Sequence, residues 1–412
     1  MSEHSGTTFP ADRESMSWRR ALRSAALAYL FSRLCVIVGA ALVASELRAD
    51  ENYRLEKFPL ARWADPYYWN KPIPSQASGP MLDVLTSWDG LWYLRIVRSG
   101  YPTSVRPDVT YDVADARAAF FPAYPTLVRA VDVVLPGGDV IAALLLNLVL
   151  GAVFIAVCGL IARDLFGVRV AERSMVLIAL FPGSFVLSFA YTEALLVTVA
   201  AGTLLFLVRR QWLAAGVLAA IGTATRPNGV ALAAACGVAA LLAIRERREW
   251  RSLVAALLAP LGFVAFQWWL GRHAGEPGVW FRVQTEAWGE GASFGLTAIT
   301  RTFKAITSPL TSPTNVITAV SLGTTILLGW FARRVRIPWP LLAYCAAIVV
   351  LMLLPATVTA RPRFVLTAFP LFIPAAAWID AERPHWWPYL TASCAVGLTA
   401  LTTLYGVYGA IP

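Results

Sequence analysis

Long apolar stretches that end in arginines dominate the chain. V140-IAALLLNLVLGAVFIAVCGLIA-R163 is one of them, with about 20 residues almost free of charge, enough to cross roughly 30 Å of hydrocarbon. Stretches of this kind predict membrane spans at 21–44, 139–162, 173–190, 192–208, 212–225, 228–244, 252–271, 315–332, 338–355, 362–379 and 386–408. Two longer polar segments interrupt them, 45–117, which contains Pro and Trp, and 272–314. The expected fold is an all-α polytopic membrane protein, a single integral-membrane domain over residues 1–412 with about 11 (10–12) transmembrane helices.

The segment A119-FFPAYPTLVRAVDVVLP-G137 decides the topology. With a cytoplasmic N-terminus, and with this segment lying on or dipping into the membrane, Arg163–Arg173, Arg209–Arg210, Arg245–Arg251 and Arg333–Arg336 all face the cytoplasm. Counted as a full span, it moves all four clusters outside, against the positive-inside rule. Eleven crossings are therefore preferred. Residues 45–137 then form a large first extracytoplasmic loop with interfacial or re-entrant helices, and 272–314 form a second. The first apolar stretch, from Ala21 to Ala44, is too long for a cleavable signal.

Composition agrees. The chain is 58% hydrophobic and 15% charged, with a mean hydropathy of +0.60, whereas soluble domains carry about 25% charged residues. The net charge of +10 comes from arginines at span ends, which is topogenic placement and argues against nucleic acid. The five cysteines lie singly in apolar stretches without a Cys-x-x-Cys, and there are three histidines, so no metal or redox site is readable.

The outer face then collects polar motifs at the edges of apolar spans: W88-D-G90, Y191-T-E193, T225-R-P-N-G229, Q284-TEAW-G289 and A360-R-P-R-F364. Ionisable groups at membrane depth are costly, so five on one face point to function more than five snorkelling helix ends would. Thr86 and Asp89 have capping-box spacing, which makes Thr86 an N-cap and Asp89 its reciprocal partner. At about 100° per residue, Trp88, Trp92, Tyr93 and Ile96 share one side of this helix, and Asp89 points into that arc, away from Arg95 and Arg98. The aromatic side predicts a helix resting at the outer interface.

The run from Trp88 to Pro102, F-F-P-A-Y-P from Phe120 to Pro125, Y191-T-E193, R226-P-N-G229 and Arg361 to Pro370 together resemble the PIG-V family. These are GPI mannosyltransferase 2-like enzymes of the GT-C glycosyltransferase superfamily, and the resemblance runs in order from about residue 20 to 380. Length and Ala/Arg content resemble bacterial, especially actinobacterial, members. The resemblance implies a GT-C fold in the plasma membrane with an extracytoplasmic active site. It implies a polyprenyl-phosphate sugar donor, usually mannose, transfer with inversion, and an essential acid in the first loop, which by position is Asp89.

On that reading Asp89 is the general base, and Arg361, Arg363 and Arg226, in that order, bind the donor phosphate. Trp88, Trp92, Tyr93, Tyr191, Glu193, Asn228, Gln284 and Trp288 form the sugar or acceptor site. Glu193 alternatively orients an arginine or makes a structural ion pair. No cofactor is expected beyond the polyprenyl-phosphate sugar co-substrate. Asp83 and Asp89 are too sparse to argue a metal. Partners are the donor, a lipid or glycan acceptor and membrane lipid. The rival readings are a lipid transporter or flippase and a non-catalytic scaffold for envelope assembly. Arg33, inside the first span, has no assigned role.

Overall fold

Every predicted span falls on helix. A computed structural model describes residues 17–49, 79–111 and 113–411, so residues 50–78 of the expected first loop lie outside the described residues. Five stretches are long and apolar enough to cross a membrane on those grounds alone: Trp18–Glu46, Asp139–Phe166, Pro227–Arg247, Trp250–His273 and Pro313–Arg334. Glu193–Val208, Trp212–Thr223 and Trp339–Leu353 are apolar but shorter. Two expected spans are broken in mid-course by a 3-10 turn. The helix Val168–Leu180 gives way to a 3-10 turn at Pro182–Leu187, and Pro362–Thr367 is separated from Phe372–Glu382 by a 3-10 turn. Pro182 and Pro370 fall inside those breaks, where the missing N–H cannot continue the helical ladder.

Exposure on the first helix has the pattern of a protein that meets lipid. Leu27, Leu30, Phe31 and Leu34, at i, i+3, i+4 and i+7, are all more than half exposed, while Val36, Ala40 and Val43 are buried. This helix packs against Trp387–Gly406, and Asp139–Phe166 packs against both Val168–Leu180 and Glu193–Val208. The chain is an integral membrane protein made of helices, with no named strand among the described residues.

The segment that decided the topology folds as a 3-10 stretch, Ala114–Ala119, and a ten-residue helix, Ala123–Asp132. At 1.5 Å per residue that helix is about 15 Å long, too short to cross the bilayer.

Arg33 finds its role in this frame. It is 5% exposed and donates to the Ser184 carbonyl and Oγ, each at 2.9 Å, and to Ser188 Oγ at 2.8 Å. It thereby fixes the 3-10 turn at Pro182–Leu187. Gly183, within that turn, lies so close to Pro362 that a Cβ would stand 2.2 Å from the Pro362 carbonyl oxygen. The Arg33 network thus braces the backbone that carries Arg363.

Candidate active site

Asp89 starts the helix Asp89–Ser99 in an unexpected way. The N-cap is Trp88, in left-handed backbone with φ 58°, and no side chain caps the helix. Thr86 instead closes the preceding helix, Pro80–Leu85, with its hydroxyl donating to the Leu82 carbonyl at 2.9 Å. The capping-box expectation is therefore corrected, because Thr86 and Asp89 belong to two different helices. Strain at Trp88 is held from outside. Its indole N–H donates to the Tyr405 carbonyl at 3.0 Å, and its ring lies 5.0 Å from that of Tyr408.

The helix does not rest on the surface as expected. Seven of its residues are buried: Gly90, Leu91, Trp92, Tyr93, Leu94, Ile96 and Val97. Gly90 permits this, since a Cβ there would meet the Ala190 carbonyl oxygen at 3.3 Å. Its far end is gripped by arginines, with Arg129 Nε on the Val97 carbonyl at 2.9 Å and Arg117 Nε on the Gly100 carbonyl at 2.7 Å. Arg98, near the same end, pairs with Asp139.

Four charges converge at the start of this helix. Arg363 Nη1 donates to Asp89 Oδ2 at 2.7 Å, and Arg226 Nη1 lies 3.6 Å from the same oxygen. Beneath them, Glu193 Oε1 is 2.6 Å from Arg226 Nη1 and 3.4 Å from Arg363 Nη1. Two acids and two arginines sum to zero, as buried charge requires. Burial alone would push the Asp89 carboxyl up, but the charges of Arg363 and Arg226 outweigh it and hold it below the usual carboxylate range.

Proline sets both arginines. A residue before proline is forced extended, and Arg226 (φ −158°, ψ 158°) and Arg361 (φ −135°, ψ 154°) both obey. At Pro227 the arginine before the proline reaches Asp89. At Pro362 it is Arg363, one residue after the proline, that does so. Arg361, which the sequence places first for phosphate, is 1% exposed and binds the Ile411 carbonyl at 3.1 Å and Thr318 Oγ1 at 2.7 Å.

Asp89, Arg226 and Arg363 border a cavity of about 1180 Å³. Of the expected site residues, Trp88, Asp89, Trp92, Tyr93, Arg226, Asn228, Gln284, Trp288 and Arg363 line it, whereas Tyr191, Glu193 and Arg361 do not. Glu193, 1% exposed, lies behind the arginines, in the orienting position. Tyr191 lies beneath Arg363, whose guanidinium carbon is 6.0 Å from its ring centroid. Trp92 stacks on Phe120 at 5.8 Å and meets the edge of Trp288 at 5.6 Å. Leu351, Leu354, Val358 and Phe364 give the cavity an apolar wall. Three charged lining groups were not among the expected site residues: Asp83, Arg98 and Glu290. Glu290 lies one residue past the end of the Q284-TEAW-G289 motif, where a wider window would have caught it. Among the described residues, no cluster of three or more His, Cys, Asp or Glu side chains is placed to hold a metal ion.

A family model described as dolichyl-phosphate-mannose-protein mannosyltransferase matches residues 122–270, a segment that includes Glu193 and Arg226 but neither Asp89 nor Arg363. ArnT from Cupriavidus metallidurans, bound to undecaprenyl phosphate, superposes with a TM-score of 0.50 at 18% identity, over 74% of this chain and 57% of that one. The apo state of ArnT gives 0.50 at 16% identity, over 77% and 57%. The Archaeoglobus fulgidus oligosaccharyltransferase in complex with Zn and sulfate gives 0.44 at 15%, over 77% and 48%. No curated protein sequence matches the chain. The chain thus spans little more than half the length of the ArnT structures, and the fold it shares with them is the GT-C fold of integral membrane proteins.

Proposed function

We propose that the protein is a membrane glycosyltransferase that moves a sugar, most simply mannose, from a polyprenyl-phosphate donor to a lipid-linked or glycan acceptor. The observation that carries this reading is a carboxylate, Asp89, held by two arginines at the wall of a large, partly apolar cavity. The matched family model is described by dolichyl-phosphate-mannose chemistry, and the similarly folded ArnT binds undecaprenyl phosphate; both support a lipid-phosphate donor. The PIG-V resemblance, with an actinobacterial-type member in view, supports mannose and inversion.

In this reading the donor phosphate takes up Arg363 and Arg226, which releases Asp89 from its ion pairs and strengthens it as a base. Asp89 then accepts the proton of an acceptor hydroxyl as that oxygen attacks the anomeric carbon. The bond from anomeric carbon to phosphate oxygen breaks, polyprenyl phosphate leaves, and the anomeric configuration inverts. Guanidiniums supply the positive charge at the leaving group, so the step is written without a divalent metal. Residues 45–137 and 272–314 are assigned to the extracytoplasmic side, with the active site there.

The test supplies membranes containing the protein with radiolabelled polyprenyl-phosphate-mannose and total lipid extract. A labelled product that still forms in EDTA is expected. Passage of the labelled donor across the bilayer with no new product would favour the flippase reading instead.

A further inference from the structure

Glu290 is a cavity-lining acid without a counterion. Among the described residues no cation lies within 4.0 Å of it, and its partners are neutral: the Thr357 hydroxyl and the Val358 backbone N–H. Arg301, close by, donates to the Thr357 carbonyl at 2.9 Å. Elsewhere on the cavity wall Asp89 pairs with Arg363 and Arg226, and Arg98 with Asp139. Burial pushes the Glu290 carboxyl above its usual range.

The loop that carries Glu290 is held firmly. Ala356 N–H donates to the Gly291 carbonyl, Ser293 N–H to the Leu354 carbonyl and Gly295 N–H to the Leu353 carbonyl, each at 2.8 Å. Gly289, Gly291 and Ala292 around it are exposed, so Glu290 lines the cavity from its open rim. Trp288 lines the same cavity, its ring set edge-on to Trp92 and Phe120. Gln284 anchors its amide nitrogen on the Ala119 carbonyl at 3.3 Å.

We infer that Glu290 and Trp288 form the acceptor subsite, and that it takes a neutral polyol, a sugar ring with free hydroxyls, and rejects anionic headgroups. The inference deepens the glycosyltransferase reading by naming its acceptor class. An unpaired carboxylate in a confined site gains from hydroxyl donors and repels phosphate or carboxylate. The donor phosphate therefore belongs at the opposite charge, beside Arg363 and Arg226, and the rim is left to the acceptor. Trp288 supplies a ring face on which a sugar packs.

Binding tests this without turnover. The full chain in lipid nanodiscs is titrated with methyl α-D-mannopyranoside, mannose 6-phosphate and undecaprenyl phosphate. Wild type is expected to bind the neutral mannoside at least about tenfold more tightly than the phosphorylated sugar. Glu290→Gln should lose most of that preference, weaken the mannoside about tenfold and keep undecaprenyl phosphate binding unchanged. Trp288→Ala, which removes the ring face, should weaken the mannoside alone. The inference is overturned if wild type does not bind the mannoside, if Glu290→Gln binds it as wild type does, or if that variant loses undecaprenyl phosphate equally. Mannoside binding that follows this pattern in a protein with no transferase activity would count against the proposed reaction and leave the subsite standing.

Discussion

Asp89 and Arg363 depend on each other: the arginine keeps the carboxylate ionised in the resting site, and the carboxylate keeps the arginine ready for a stronger anion. Arg363 and Arg361 differ by two positions and by everything else. Arg363 touches Asp89 and lines the cavity, while Arg361 ties the end of the chain to the Pro313–Arg334 helix. Arg363→Lys is therefore expected to raise the donor KM about tenfold or more, since a lysine cannot make a bidentate contact to phosphate. Arg361→Lys should lower the thermal midpoint with donor KM nearly unchanged. Equal effects on donor KM would contradict this division. The sequence shows R-P-R as a motif but not which arginine faces the cavity, because the extended backbone before the proline and the helix after it send their side chains in different directions. Asp89 was legible from its aromatic neighbours. The left-handed backbone at Trp88 was not, because it is imposed by the distant Tyr405 and Tyr408.

At the scale of elements, hydropathy located every apolar helix because membrane insertion is read locally along the chain. The breaks at Pro182 and Pro370 follow from proline chemistry, and the helical turns that start at Pro227 and Pro362 present the site arginines. What local pattern could not give is the depth at which the Asp89 helix sits. That depends on Gly90 against Ala190, a contact about 100 residues apart in sequence. Gly90→Val is expected to push the helix off Ala190 and to lower kcat at least tenfold, with a loss of about 1–3 kcal/mol in stability from overpacking. Unchanged kcat beside that same stability loss would show that the helix position does not govern the chemistry. Glu290 escaped for a related reason: its loop has no periodicity, and its meaning comes from the 353–358 segment it is laced to.

For the whole molecule, charge bias and structure meet at the short helix Ala123–Asp132, whose length suits a segment that does not cross. Ser104, Gly275 and Arg248 are all exposed, and the five native cysteines are buried, so single cysteines at these sites report sidedness cleanly. Positions 104 and 275 should label from outside and 248 should not; the reverse pattern would invert the topology. The central claim is that one carboxylate, steered by two arginines, takes a proton from the acceptor during sugar transfer. It is tested most directly by comparing wild type with Asp89→Asn in the labelled-donor assay, with undecaprenyl phosphate binding measured on the same preparations. Transfer in Asp89→Asn is expected to fall about 10²–10⁴-fold with lipid-phosphate binding retained. Asp89→Asn that transfers sugar as fast as wild type would contradict it.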